Sequence, residues 1–219
     1  MKTFVRENGL SLVLVVITVL TLLGQLVVGW HELNSDLTDF GRAPLSFGTY
    51  LSSGHCIEAV FENWESEFLQ MGLYVLLTAS LFQKGSSESK SLDEPEEVDR
   101  DPSPSRADAP WPVRRGGWVL KLYENSLSLA FFALFGLSFF LHAIGGTKQY
   151  NAEQAMHGKP EVLTLWQFMG TSQFWFQSLQ NWQSEFLSVL SIVVLSIFLR
   201  QKGSPESKPV DAPHSETGK

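Results

Sequence analysis

The chain of 219 residues has a single cysteine, Cys56, so no internal disulfide and no paired-cysteine metal or redox motif can support it. Positive charge is also short: 16 Lys and Arg against 23 Asp and Glu leave a formal net charge of −7. Nucleic-acid binding, which needs a clustered basic surface, is thereby disfavoured. Charge of either sign is missing from residues 9–30, and residues 126–146 hold only His142 as an ionisable group. The mean hydropathy of +0.01 thus averages over two unlike kinds of segment. Runs of this length are what a hydrocarbon layer of ~30 Å demands of a helix rising ~1.5 Å per residue. A single soluble globule is disfavoured, and a small multi-span membrane protein remains.

Lys2 and Arg6 ahead of the first run look like the start of a secretory leader. Such leaders have an apolar core of about 7 to 15 residues and a small-residue cleavage site. This run is longer and closes on Val28-Gly29-Trp30-His31, so it reads as a retained anchor. Two shorter apolar cores, 68–82 and 186–199, each follow a polar, helix-compatible stretch without Gly or Pro, at 57–67 and 175–185. Counting back about 20 residues from Lys84 and Arg200 brings the outer boundary to Trp64 and Trp182, where an aromatic belt belongs, with Trp30 as a third anchor. The expectation is an all-helical integral membrane protein with four transmembrane helices, near 8–30, 57–83, 118–145 and 174–200.

Orientation follows from Lys and Arg. Only Arg42, Lys148 and Lys159 lie on the side of the two helix-connecting loops, and the other 13 of the 16 basic residues lie opposite. Both termini and the central linker are assigned to the cytoplasm. That linker, 85–116, contains Pro95, Pro102, Pro104, Pro110 and Pro112, a Ser-rich start and the run Asp93-Glu94-Pro95-Glu96-Glu97. It has too little apolar surface to offset ordering entropy and is expected to be a disordered, solvated tether, as is the tail 203–219.

An internal repeat organises the rest. Glu7-Asn8-Gly9-Leu10-Ser11-Leu12 recurs as Glu124-Asn125-Ser126-Leu127-Ser128-Leu129, Asn63-Trp64-Glu65-Ser66-Glu67-Phe68-Leu69 as Asn181-Trp182-Gln183-Ser184-Glu185-Phe186-Leu187, and Gln83-Lys84-Gly85-Ser86 as Gln201-Lys202-Gly203-Ser204. The offset is 117 in the first match and 118 in the others. Each copy, 1–84 and 117–202, is a two-helix hairpin, and two crossings return the chain to its starting side. The copies therefore share one orientation and should relate by a pseudo-twofold axis along the membrane normal.

These blocks, with Ser53-Gly54-His55, resemble an uncharacterised family of small bacterial membrane proteins, described as a domain of unknown function. The resemblance covers both repeats, about 170 residues, without the linker and tail. It implies a bacterial cytoplasmic (inner) membrane and brings no activity, substrate or catalytic residue.

The repeat also sorts the polar residues. Glu58, Glu62 and Glu65 align with Phe176, Gln180 and Gln183, and read as dispensable, whereas Glu67 aligns with Glu185. Asn63, Ser66 and Glu67 share one helix face, as do Asn181, Ser184 and Glu185, and such a face needs a partner. Gln25 lies 15 residues from Leu10 and Glu67 lies 15 before Phe82; His142 lies 15 beyond Leu127 and Glu185 lies 15 before Arg200. At ~22 Å from the inner boundary, each hairpin sets Gln25 or His142 level with Glu67 or Glu185. An acidic residue at a helix centre costs ~2.5 to 3.5 kcal/mol, less towards the interface, which a partner offsets. Two roles stay open: interhelical hydrogen bonds that fix packing, worth ~0.6 kcal/mol each, and a proton or cation site. Packing is favoured, because two spans per repeat without a Pro-broken helix form a thin wall.

His31, Glu32, His55, Cys56 and Glu58 could converge on a metal, but the second copy has Lys148, Gln173 and Phe174 in place of His31, His55 and Cys56, so no metal or cofactor is expected. Asn8 and Asn125 suit helix N-caps, and Ser11 and Ser128 need no nucleophilic role. The outer loops within 31–56 and 146–173 are long for a two-helix connection and should form a partly helical cap, for shielding or partner contact. No catalytic constellation emerges. The expected function is a non-enzymatic membrane scaffold or accessory component, partnered by the bilayer and by a homo-oligomer or another membrane protein; the alternative is a small proton-coupled or ion-conducting oligomer using Glu67 and Glu185. The 13 to 3 split of basic residues makes a direct prediction. In a Cys56→Ser background, a cysteine at Ser103 should react with an impermeant thiol reagent only from the cytoplasm, and one at Ser35 only from outside. Labelling of both from one side would end the hairpin topology.

Overall fold

The computed structural model describes residues 2–159 and 162–218, and all regular structure among them is helical. The helices are α1 (Lys2–Glu7), α2 (Gly9–Asp39), α3 (Phe47–Tyr50), α4 (Gly54–Thr78), α5 (Trp111–Arg115), α6 (Gly117–Glu124), α7 (Ser126–Met156), α8 (Leu165–Met169) and α9 (Ser172–Phe198), with a 3-10 turn at Glu97–Asp99. Three of them, α2, α7 and α9, are long and apolar enough to cross a membrane. Protein buries none of the most apolar stretch of α2, 17% of that of α7 and 6% of that of α9. Apolar surface on this scale calls for hydrocarbon around it, which makes this a membrane protein. Helix α4 falls short of that standard: Glu58, Glu62, Glu65 and Glu67 stud its first half, and it stops at Thr78 rather than near 83.

The apolar runs predict helix ends near 30 and 145, but α2 continues to Asp39 and α7 to Met156. Hydropathy marks the part of a helix that hydrocarbon surrounds; the helix itself runs on until a residue stops it. The stops are Gly41 and Gly158, with φ of +69° and +71°. The next residues, Arg42 and Lys159, donate their N–H back to Leu37 O and Gln154 O at 2.7 and 2.9 Å, the wrap of a glycine-terminated helix. Asn8 and Asn125 do not cap as expected. Their Nδ2 atoms donate backwards, to Phe4 O at 3.0 Å and Lys121 O at 2.9 Å. The reason is that a short helix, α1 or α6, already precedes each of them, so the free groups there are carbonyls.

The chain divides into two compact units, Met1–Phe61 with Phe140–Trp175, and Glu62–Phe139 with Phe176–Lys219. In the first, Tyr50 is 2% exposed at the centre of a cluster with Leu33 and Cys56, walled by Leu26, Trp30, Leu37 and Leu45. Gly29 admits the Tyr50 ring, since a Cβ there would run into the phenol oxygen. Asn34 closes its loop by accepting Leu45 N–H at 2.6 Å and donating to Leu45 O at 3.0 Å. Asn151 makes the same pair of bonds to Leu163, at 2.8 and 2.9 Å. Ser46 and Thr164 cap α3 and α8, and the hydroxyls of Ser53 and Thr171 accept N–H groups of Cys56 and Phe174 at the starts of α4 and α9. Members of these pairs stand 117 or 118 residues apart.

In the second unit, Gln70 of α4 donates to Glu185 O and to Ser188 Oγ of α9, both at 3.0 Å. Gly72 leaves room for the Phe131 and Phe132 side chains. Composition assigns 85–116 and 203–219 to disorder; the parts of them next to the helix ends make defined contacts in the structure. Ser86 and Lys208 are 0% and 2% exposed. Ser86 Oγ meets Ser196 Oγ at 3.0 Å, Gly85 N–H donates to Thr217 Oγ1 at 2.8 Å, and Lys208 Nζ donates to the carbonyls of Pro213, His214 and Glu216. Short hydroxyl side chains satisfy the backbone here where an apolar core does not.

Within the first unit, α4 and α7 approach through glycine. A Cβ on Gly145 would collide with the backbone N of Glu58 and come within 2.9 Å of its Cα, and one on Gly54 would lie 2.7 Å from Gly145 O. Small residues at such a crossing let two backbones touch. Gly145→Ala should therefore cost about 1 to 3 kcal/mol, because backbone atoms cannot step aside. The measurement is the thermal unfolding midpoint in detergent. Gly136→Ala, on the same helix with open space around it, should leave the midpoint unchanged.

Candidate functional site

The polar residues in and beside the apolar helices are the candidate site. Reasoning from height sets Gln25 level with Glu67 and His142 level with Glu185; within each unit the structure shows the following neighbours. Gln25 Nε2 donates to the backbone carbonyl of Ala59 at 3.1 Å. Glu67 and Glu185 lie within electrostatic reach of each other, Glu67 exposed and Glu185 half-buried. His142 is fully buried, stacked on Phe174 with ring centroids 4.9 Å apart, and a ring nitrogen lies within 4.8 Å of a Glu58 carboxylate oxygen. Equal height fixes the level of a residue but not its direction around the helix, and the missing angle decides the partner.

The carboxylates that the structure buries are Glu58, 7% exposed, and Glu65, 0% exposed. Both had read as dispensable because the second copy replaces them. Trp182 Nε1 donates to Glu65 Oε1 at 3.3 Å, and Asn181 Nδ2 donates to Glu62 Oε1 at 3.4 Å. Acceptors from one repeat thus meet donors from the other. The sequence held one signal: the second copy has Gln180 and Gln183 in place of Glu62 and Glu65, so these acids occur on one side only. Gln70 was also missed, although it aligns with Ser188, a polar residue in both copies inside an apolar core.

The serines of the shared polar face turn back on their own helices, Ser66 Oγ to Asn63 O at 2.7 Å and Ser184 Oγ to Asn181 O at 2.9 Å. They do not seek a partner there. The tryptophans expected as interface anchors also work within the protein. Trp30 Nε1 donates to Leu45 O at 2.8 Å, Trp182 donates to Glu65, and Trp64 packs edge-on against Phe68 of its own helix.

On the loop side of the first unit, His55 Nε2 lies 3.9 Å from Glu32 Oε2, and Cys56 hydrogen-bonds Tyr50. Burial pushes the Tyr50 phenol up to about 12, with Cys56 and Glu32 adding to it. Burial also raises the Cys56 thiol, against the hydrogen bond from Tyr50. Burial thus favours the protonated form of both groups. Glu58 with His142 and Glu32 with His55 each set a carboxylate beside an imidazole.

The Glu65 contact is testable. Glu65→Gln keeps an acceptor for Trp182 and should be mild, while Glu65→Leu strands the indole N–H and should lower stability by roughly 1 to 3 kcal/mol. Equal unfolding midpoints for the two variants would show that the contact contributes nothing.

No curated protein and no solved structure matches this chain. One family model does, over residues 1–219, so the likeness includes the linker and tail that the motifs had left out. The chain belongs to the family described as Domain of unknown function (DUF6766).

Proposed function

We propose that the chain is a four-span protein of the bacterial inner membrane, built from two tandem hairpins, α2 with α4 and α7 with α9, both termini being cytoplasmic. It acts as a non-enzymatic scaffold or accessory component, as a homo-oligomer or with another membrane protein. The observation that carries this reading is how α4 and α9 use their polar groups. Glu62 with Asn181, Glu65 with Trp182 and Gln70 with Ser188 are separated by 119, 117 and 118 residues, against a repeat of 118. Residues equivalent in sequence are neighbours in space, as a pseudo-twofold axis along the membrane normal requires. Groups engaged in this way hold two helices together, which is a packing task rather than a catalytic one.

Glu67 and Glu185 favour a second reading. They are equivalent acids within electrostatic reach of each other, and Glu67 is exposed on its helix, where a small proton-coupled or ion-conducting oligomer would need a titrating carboxylate. Purified protein in liposomes with a pH-sensitive dye inside separates the two. The scaffold predicts no proton flux above that of empty liposomes, unchanged by Glu67→Gln with Glu185→Gln. Flux in the natural protein, abolished by the double variant in protein that still folds, would defeat it.

A further inference from the structure

Of the three basic residues on the side of the helix-connecting loops, two meet at one cavity of the first unit. It measures about 490 Å³, and its lining includes Leu33, Leu37 and Met156 together with Arg42 and Lys148. That volume lies within the ~300 to 1,000 Å³ of typical small-molecule sites, as does the combination of apolar walls with a few polar groups. The glycine turn at Gly41 fixes the backbone of Arg42 through its bond to Leu37 O, and Lys148 stands on α7 against Gly54. Both cations are exposed, and among the described residues neither has an ion pair. Two uncompensated cations over an apolar hollow complement a ligand with an anionic head and an apolar body.

The level of the cavity narrows the source. With Trp30 at the outer boundary, Leu33 and Leu37 stand about 4.5 and 10 Å beyond it at 1.5 Å per residue. Acyl chains of a bilayer lipid do not reach that far, whereas a free single-chain molecule does. We infer that this cavity binds a free medium- or long-chain carboxylate, its head held by Arg42 and Lys148 and its chain laid along Leu33, Leu37 and Met156. A guanidinium suits a carboxylate because its parallel N–H groups can meet both oxygens. The inference goes beyond the scaffold reading, taking from it only the membrane boundary.

The test uses the full chain in nanodiscs of zwitterionic lipid, titrated with the fluorescent carboxylate dansyl-undecanoic acid. Saturable binding is expected, displaced by decanoate and not by decanol. Arg42→Gln with Lys148→Gln should weaken it at least about tenfold, and Lys159→Gln should leave it unchanged. Ala155→Trp, which fills the cavity with both cations intact, should abolish it. The two cations are exposed and glutamine keeps the Cβ of each, so their variant decides even where the tryptophan variant fails to fold. Undiminished affinity in the double variant, or competition by decanol equal to that by decanoate, would overturn the site. Displacement by anionic phospholipid added to the nanodisc would overturn the free carboxylate in favour of a bilayer lipid. None of these outcomes depends on the proton-flux result.

Discussion

A polar group that enters hydrocarbon has no water to fall back on, so it brings a partner or it costs stability. In this chain α4 carries the densest set of polar groups beside the apolar helices, and in the second unit it buries Glu65 and Gln70 and half-buries Glu62. Its answer is α9: the Asn181 amide, the Trp182 indole, the Glu185 carbonyl and the Ser188 hydroxyl are all spent on those side chains. The two helices therefore need each other for more than apolar contact. Neither could be rotated or slid along the other without stranding a buried group.

The two matching halves of the sequence are not identical at this contact. Where a helix packs on its own copy, equivalent residues meet, so an acid present in both copies faces an acid. The first copy has Glu62 and Glu65 where the second has Gln180 and Gln183. The groups that meet Glu62 and Glu65 are the Asn181 amide and the Trp182 indole, donors rather than further acids. Glu67 and Glu185 are the exception, and Glu67 is exposed, where repulsion between like charges is weakest.

What could be read in advance divides along the same physical line. Apolar runs revealed α2 and α7 because a ~30 Å layer imposes a length on any chain that crosses it. Their far ends were not legible from hydropathy, although the paired glycines at 41 and 158 carried the information. Residue spacing yields depth and leaves rotation free, so it could not reveal that Gln25 meets the Ala59 carbonyl or that His142 stacks on Phe174. The segments that follow α4 and α9 were underread. The match Gln83 to Ser86 extends through Glu88, Ser89 and Lys90 to Glu206, Ser207 and Lys208, and the longer motif folds the same way twice. Gln83 and Gln201 donate N–H to Ser89 and Ser207 at 2.9 Å, Ser86 and Ser204 accept from Glu88 and Glu206 at 3.1 Å, and Gly85 and Gly203 share a φ of +86°.

Lys90 and Lys208 mark where that likeness stops. They close the same motif, yet Lys90 pairs with Asp99 at 2.6 Å while Lys208 is buried under three carbonyls of the tail. The bonds that match between copies, at Asn34 and Asn151 or within the two serine loops, join residues at most 12 apart in the chain. Those that differ span longer distances: Gln25 to Ala59 and Trp30 to Leu45 within the first copy, and the rest into the other copy or into segments outside the repeat. A duplicated sequence carries its local geometry with it, since both partners were copied together. A long-range bond has no such protection, because each copy sees the other from the opposite side of the contact, and there the two sequences were free to become complementary instead of alike.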